Sequence, residues 1–449
     1  MESSRPAKSF YTLPNAWPIL GNIQMLNGTF NDIAAEIGVL WIRMPSFLFK
    51  ERMLHVETPE LIHLILKKLD TDSVWPERWK RLLGPESIPV VSGAKHKRLR
   101  GLCSQAIKKS TIKSSLPKLQ ELAKLCLEDM VVASQAAEIS PPKFLRKFTY
   151  DAICTFMAGA DPASEAKLQS LFEYSLVHAA GFGDFFVPEW MRWWSGLQKG
   201  LTARQKILDG IMEVIVERRR LLDDHDWVPA TTDLLSSMLQ SKISENGEEL
   251  YLKDSEIADS FITMMFAGME TTASVISSIM HVFLYEISEQ DMKSVVAEVE
   301  SLGPNFSETD ILELPYLDAL VKETMRKWAT IPGGWRSLSK NTEFEGVDLP
   351  TGTLLSVSYE RGHLHREHEV FKLSRFMGDD AFDKTNPKEF IPFGAGPRMC
   401  LGNNLASAEI KVFVAEMVRG FDLRKGSKPS VKITIPSIMM SPFLTVSRK

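Results

Sequence analysis

Cys400 stands in "FIPFGAGPRMCLG", residues 390–402, two positions after Arg398 and among Gly394, Gly396 and Gly402. A cysteine that only fills core volume does not need those glycines. They suggest backbone that must pass close to something bulky. A thiolate needs positive surroundings or a metal. Arg398 supplies one cation, and residues 403–420 show the apolar spacing of a helix. The sulfur then precedes a helix N-terminus, whose partial positive charge favours an anion. A second cluster, "AGMETT" at residues 267–272, puts Glu270 beside Thr271 and Thr272 in an apolar setting. An acid there serves either structural hydrogen bonding or proton delivery.

These residues need elements to position them. The apolar spacing predicts helices over 113–135, 144–158, 203–222, 254–288, 308–327 and 403–420. Strand-like pieces are few, around 38–56, 343–358 and 431–447. "GVDLPTGTLLSVS" reads as a turn between two short strands, and the charged "SKISENGEEL" at 241–250 as a surface loop. The helix starting at Asp254 would be roughly 50 Å long at 1.5 Å per residue. It is apolar almost all round, but Glu270 near its middle would be costly in lipid. It therefore reads as a helix through the centre of a large globular protein.

Composition narrows the classes. The chain has 449 residues and a net charge of −4, so no overall basic field calls for nucleic acid. Four cysteines in that length make no disulfide framework, and no C-x-x-C pair suggests zinc. Cys103, Cys126 and Cys154 read as small buried hydrophobes. The stretch 1–22 shows no secretory h-region and no apolar run of about 20 residues, so neither a leader nor an anchor is expected within it. An anchor upstream of this sequence is compatible with it. The expected location is cytoplasmic, with peripheral membrane contact through "FFVPEWMRWWSGLQKG" at 185–200 or, at least as readily, a channel lid or core packing there.

Thiolate ligation of haem iron is one arrangement that needs a cysteine, a cation, glycines and a helix start together. "FGAGPRMCLG" resembles the haem-binding pattern F-G-x-G-x-R-x-C-x-G of the cytochrome P-450 family at every fixed position, Phe393, Arg398 and Cys400 included. Ala406 and Glu409 continue the match. "AGMETT" is similar to that family's central-helix pattern, with Glu270 and Thr271 as its acid–alcohol pair. "ETMR" supplies Glu323 and Arg326 of its E-x-x-R pair, and "FKLSRF" supplies Arg375, with Leu373 where proline is common. "GAKHKRLR" places His96 and Arg100, and "IPGGWR" places Arg336, where the family binds the haem propionates. The resemblance runs from the proline-containing lead-in, residues 1–22, to the C-terminal strands. It is nearest the branch that oxidises steroids, triterpenoids and retinoids.

The resemblance implies a single haem-thiolate domain over 1–449, mainly α with small β-sheets, with a long central helix and a cysteine-bearing loop. It implies haem b, with Cys400 as the iron ligand. It implies a monomeric monooxygenase that hydroxylates or epoxidises an apolar terpenoid, sterol or retinoid. Thr271 would hold the bound oxygen, Glu270 would relay protons, and Ala267 with Gly268 would leave room beside a locally opened helix. The pocket positions of the family carry Ile262, Met265, Phe266, Ile331, Gly333, Ile438 and Met439. Glu323 and Arg326 would hold the cysteine loop rather than touch substrate.

No Gly-rich dinucleotide fingerprint follows a strand. Electrons are therefore expected from a separate ferredoxin or NADPH-dependent flavoprotein reductase. Lys97, Arg98, Lys108 and Lys109 are the candidate docking patch. A haem-thiolate isomerase or dehydratase acting on a hydroperoxide is the alternative, and a haem sensor without turnover a third reading. The Glu270–Thr271 pair favours the first, because the others have no bound dioxygen to protonate.

Overall fold

The computed structural model describes residues 11–12, 39–43, 52–107, 109–159, 161–183, 196–224, 233–245, 248–303, 310–311, 313–363, 369–433 and 437–449. The chain divides into two compact units, each assembled from three separated stretches. The first takes 1–80, 331–368 and 386–400, and the second takes the remainder.

The first unit is built on a six-stranded sheet. Its strand order is Tyr11–Thr12, Val39–Arg43, Arg52–Val56, Leu354–Ser358, Gly333–Leu338 and Thr71–Ser73. Arg52–Val56 and Leu354–Ser358 run parallel at the centre, with Leu54 opposite Leu355 and Val56 opposite Val357. Those four side chains are buried with Ile62, Ile65 and Leu66 of the helix Pro59–Lys67 and with Ile391 and Ala395 of the cysteine loop. Full burial of such a side chain contributes about 1.5–3 kcal/mol. The loop is thus anchored through its own apolar residues. Outside the main sheet, Thr342–Phe344 pairs with Val347–Leu349. Glu345 and Gly346 between them both have positive φ, 52° and 76°, the two-residue turn that suits a twisted hairpin. The strands of "GVDLPTGTLLSVS" are therefore not partners of each other: Val347–Leu349 pairs backwards, and Leu354–Ser358 joins the large sheet.

The second unit is mainly helical. Asp254–Tyr285 runs unbroken for 32 residues and is buried on nearly every side between Ile257 and Val282. It packs against Pro142–Ala158, Gly196–Asp223, Pro315–Lys327 and Asn403–Gly420. Such all-round burial explains its continuous apolar character. Its neighbour Pro142–Ala158 begins with proline at the first position and ends at Gly159 with φ of 61°, the start and stop chemistry of a helix. The segment expected as a loop at 241–250 instead holds two strands, Lys242–Glu245 and Glu248–Tyr251, paired antiparallel. Lys242 and Glu249, 2.6 Å apart, support that pairing. Dense charge suggests a loop, but opposite charges across neighbouring strands also stabilise a hairpin.

The expected helices at 113–135, 144–158 and 203–222 form with earlier starts, as Lys109–Ser134, Pro142–Ala158 and Gly196–Asp223, and 403–420 forms with the expected bounds. Short helices such as Glu77–Leu83, Pro162–Gln169 and Leu234–Gln240 are not expected from the sequence, because one or two turns carry too little periodicity. No helix among the described residues is long and apolar enough to cross a membrane. The lead-in 1–22, apart from Tyr11–Thr12, and residues 184–195 of the tryptophan-rich stretch lie outside the described residues.

Candidate active site

In the first unit, three backbone hydrogen bonds tie the loop before Cys400. Gly394 N–H donates to Ile391 (2.8 Å), Met399 N–H to Gly396 (3.1 Å) and Cys400 N–H to Phe393 (2.9 Å). Gly396, at φ 72°, is required twice. Its backbone is left-handed, and a Cβ there would lie 1.9 Å from the Leu66 carbonyl oxygen. That contact seats the loop on the end of the helix Pro59–Lys67. Arg398 donates to Asp72 at 3.1 Å, and Arg336 donates to the Tyr359 hydroxyl at 3.3 Å and to the Trp335 carbonyl at 2.9 Å. Arg336 sits on the strand Gly333–Leu338, whose register against Leu354–Ser358 fixes it opposite Leu355. Phe393 is half-buried and Cys400 is exposed. The other three cysteines are buried, and burial pushes the Cys103 thiol up to about 12 and those of Cys126 and Cys154 well above the ordinary range. Those thiols are inert. Of the four thiols only Cys400 is exposed, and Arg398 lies in the same loop, which fits the donor set that a haem-thiolate iron requires.

In the second unit, the long helix opens at one place. Ala267 is exposed and Thr271, one turn on, is half-buried, on a helix otherwise closed by packing. The Thr271 hydroxyl donates to the Ala267 carbonyl at 2.8 Å. Glu270 is only 2% exposed. Its Oε1 accepts from Arg146 Nε at 2.8 Å, while its Oε2 is buried without a hydrogen-bond partner among the described residues. Burial raises the Glu270 pKa, and Arg146 opposes the rise. Arg146 comes from the helix Pro142–Ala158, 124 positions away, and nothing in its sequence context marks it.

The helix is not locally opened here. The carbonyls around the polar island gain extra donors without losing their helical role. Thr149 donates to the Met269 carbonyl at 2.9 Å, and Ser274 to the Glu270 carbonyl at 2.6 Å. A carbonyl oxygen has two lone pairs, so a hydroxyl can share it with the helix. Gly268 also differs from expectation. A Cβ on it would meet Ile153 at 3.7 Å, an ordinary contact on the packed side. The space beside the open turn is therefore left by Ala267 and not by Gly268.

Glu409 stands out in the sequence only as a matching position. The structure buries it on Asn403–Gly420, where Thr272 of the long helix bonds it. Burial pushes its carboxyl up to about 8, and the Thr272 hydroxyl partly offsets that.

His96 and Arg100 share a face of the helix Gly93–Ala106, His96 buried and Arg100 half-buried. Arg98 is committed elsewhere: it pairs with the buried Glu256 and bonds the Tyr251 carbonyl. Lys108 lies outside the described residues. The expected ion-pair triad is present. Glu323 and Arg326 are fully buried, joined by bonds of 2.6 and 2.9 Å, and Arg375 approaches Glu323 at 3.3 Å. The Lys372 N–H also donates to Glu323 at 3.1 Å. Leu373, in place of the common proline, is buried at the start of a tight turn, Leu373–Phe376, so the turn forms without proline. Of the expected pocket residues, Ile262, Met265 and Met439 are sealed in the core at 1% exposure or less. Phe266 is half-buried and stacks on Phe182 at 4.2 Å, and Ile331 of the first unit is 41% exposed.

The family model described as Cytochrome P450 matches residues 12–444. A protein named Putative cytochrome P450 120, from Synechocystis, is 27% identical over 80% of this chain and 78% of its own. Cytochrome P450 26B1 from Danio rerio and from Homo sapiens are each 26% identical over 81% of this chain and 71% of theirs. The solved structure of cyanobacterial CYP120A1 with retinoic acid bound has a TM-score of 0.82. It is 24% identical and covers 98% of this chain and 100% of its own.

Proposed function

The chain belongs to the cytochrome P450 family and is a haem-dependent monooxygenase, and from that premise we propose that it oxygenates an apolar, retinoid-like substrate with Cys400 as the thiolate ligand. The reading is carried by the loop geometry that presents Cys400 beside Arg398 while the three other thiols are buried. The retinoid-like class is supported by the retinoic acid bound in the structurally similar cyanobacterial protein. The family model spans residues of both compact units, which supports reading 1–449 as one functional domain.

When bound, the haem supplies dioxygen activation and insertion of one oxygen atom into a C–H bond or double bond. The residues of this chain supply the rest. By motif position, Cys400 would ligate the iron, Phe393 lies in the same loop, and His96, Arg100, Arg336 and Arg398 would be the cations for two propionates. Buried carboxylates need such charge-assisted partners. Ala267 leaves room beside the open turn. Thr271 holds a proton donor at the same turn, which it parks on the Ala267 carbonyl. Glu270 accepts and releases protons at Oε2, the oxygen left without a partner, while Arg146 holds Oε1. Its raised pKa keeps more of it protonated at neutral pH than an ordinary glutamate. A hydroperoxide isomerase would have no use for that donor pair.

The test is a carbon monoxide difference spectrum of the reduced, haem-loaded protein, followed by titration with retinoic acid. The expected results are a thiolate signature that Cys400→Ala abolishes and a low-to-high-spin shift on adding the acid. Retention of the signature without the thiol would overturn the ligand assignment. Absence of any shift with retinoids, against a shift with sterols or terpenoids, would overturn the substrate class only.

A further inference from the structure

We propose that His363 positions the cysteine loop through its neutral imidazole, and that protonation of this ring releases the loop. That the closed loop serves to hold iron at Cys400 rests on the haem-thiolate reading; the bond between ring and loop does not.

His363 ends the five-residue helix Tyr359–His363, which follows the strand Leu354–Ser358 of the first unit's sheet. It is 2% exposed. Its Nε2 lies 3.1 Å from the Ile391 backbone nitrogen, and its ring centre 5.6 Å from that of Phe390. A backbone N–H can only donate. Nε2 is therefore the acceptor, and the proton of the neutral ring sits on Nδ1. One turn earlier on the same helix, the Tyr359 hydroxyl would lie 4.0 Å from a Cβ on Gly394. The helix thus bears on the loop at two points, and of the two side chains only His363 titrates near neutral pH.

The bond sits at the root of the loop. Ile391 is held at both ends: its N–H donates to His363, and its carbonyl accepts the Gly394 N–H at 2.8 Å. The chain then turns at Gly394, φ 70°, and the Phe393 carbonyl accepts the Cys400 N–H at 2.9 Å. An imidazolium has two donors and no acceptor. Protonation of His363 therefore sets N–H against N–H, leaves the Ile391 donor without its acceptor, and buries a charge. The closed loop accommodates only the neutral ring. The released loop, with the ring in water, accommodates either form. More protons are bound in the released state, so closure is favoured above the ordinary imidazole value of about 6.5 and weakens roughly tenfold per pH unit below it. The charged and titratable residues on the elements packed against His363 are Glu360 and Arg361 on its own helix, Arg336 on Gly333–Leu338, Glu60, His63 and Lys67 on Pro59–Lys67, and Lys388 and Glu389 beside Phe390. His63 is the other group of that pH range, and substitution at 363 leaves it in place.

The experiment uses the haem-loaded full chain as wild type, His363→Gln and His363→Leu. The glutamine amide oxygen reaches about as far as Nε2, accepts the Ile391 N–H and does not titrate. Leucine removes the acceptor. Two quantities are followed from about pH 8 down to about pH 5, the range that spans imidazole titration. One is the thiolate signature of the reduced carbon monoxide complex. The other is deuterium exchange of peptides covering 387–394, read by mass spectrometry and corrected for the intrinsic pH dependence of exchange. In the wild type, protection of that segment should fall roughly tenfold per unit below about pH 6.5, with the thiolate signature lost over the same range. His363→Gln should hold both nearly level, and His363→Leu should show low protection at every pH. Coincident pH profiles of wild type and His363→Gln overturn the proposal, whatever the leucine variant does. Wild-type protection in His363→Leu at alkaline pH overturns it as well. If no variant gives a thiolate signature even at alkaline pH, the haem-thiolate reading falls, and the exchange measurements still decide the role of His363.

Discussion

Glu409 offers a perturbation whose size comes directly from its surroundings. It is 2% exposed on Asn403–Gly420 and bonded by Thr272, and its pKa is pushed up to about 8 from 4.5. A folded-state pKa above the unfolded value means that folding takes up a proton. Stability from this group is therefore fully present below about pH 4.5 and is lost as pH rises towards about 8. Each unit corresponds to about 1.4 kcal/mol. At pH 7 the withheld stability is thus on the order of 3 kcal/mol, and above pH 8 on the order of 5 kcal/mol. Glu409→Gln keeps the volume and cannot ionise. Relative to wild type it should gain stability steadily between pH 5 and pH 8. The offset depends on how the amide is hydrogen-bonded, but the slope does not. Urea unfolding of both proteins, followed by circular dichroism at several pH values, measures the difference. Every other titrating group cancels in that difference if it is distant. Parallel curves for the two proteins would refute the claim that this carboxyl is protonated in the fold.

Glu323→Ala strands the fully buried Arg326 guanidinium and should cost about 3–5 kcal/mol, read by denaturation, with loss of haem incorporation. A variant that keeps full haem and only turns over slowly would contradict that structural role. Gly396→Ala drives a Cβ into the Leu66 carbonyl and should yield haem-deficient protein, whereas Gly268→Ala meets only Ile153 and should raise the melting temperature with activity kept. Arg146→Leu removes the cation that holds the Glu270 carboxyl down, so Glu270 stays protonated to higher pH and the alkaline limb of turnover should move up. An unmoved limb with unchanged haem content would remove Glu270 from the proton route.

The chemistry of this protein is legible where it is encoded in consecutive residues. "FGAGPRMCLG", "AGMETT" and "ETMR" each carry their own geometry, because a loop or helix converts fixed spacing into a fixed face. Long helices are legible for the same reason, and 403–420 forms as its spacing predicts. Short strands are not. Val347–Leu349 reads as the partner of Leu354–Ser358, yet it pairs with Thr342–Phe344, since partner choice depends on the whole sheet. Nor could the sequence by itself show that Arg146 holds Glu270 or that Leu66 requires a glycine at 396. Spacing determines contacts within one element. Contacts between elements, and the burial that shifts a carboxyl such as Glu409, arise only when the chain has closed around them.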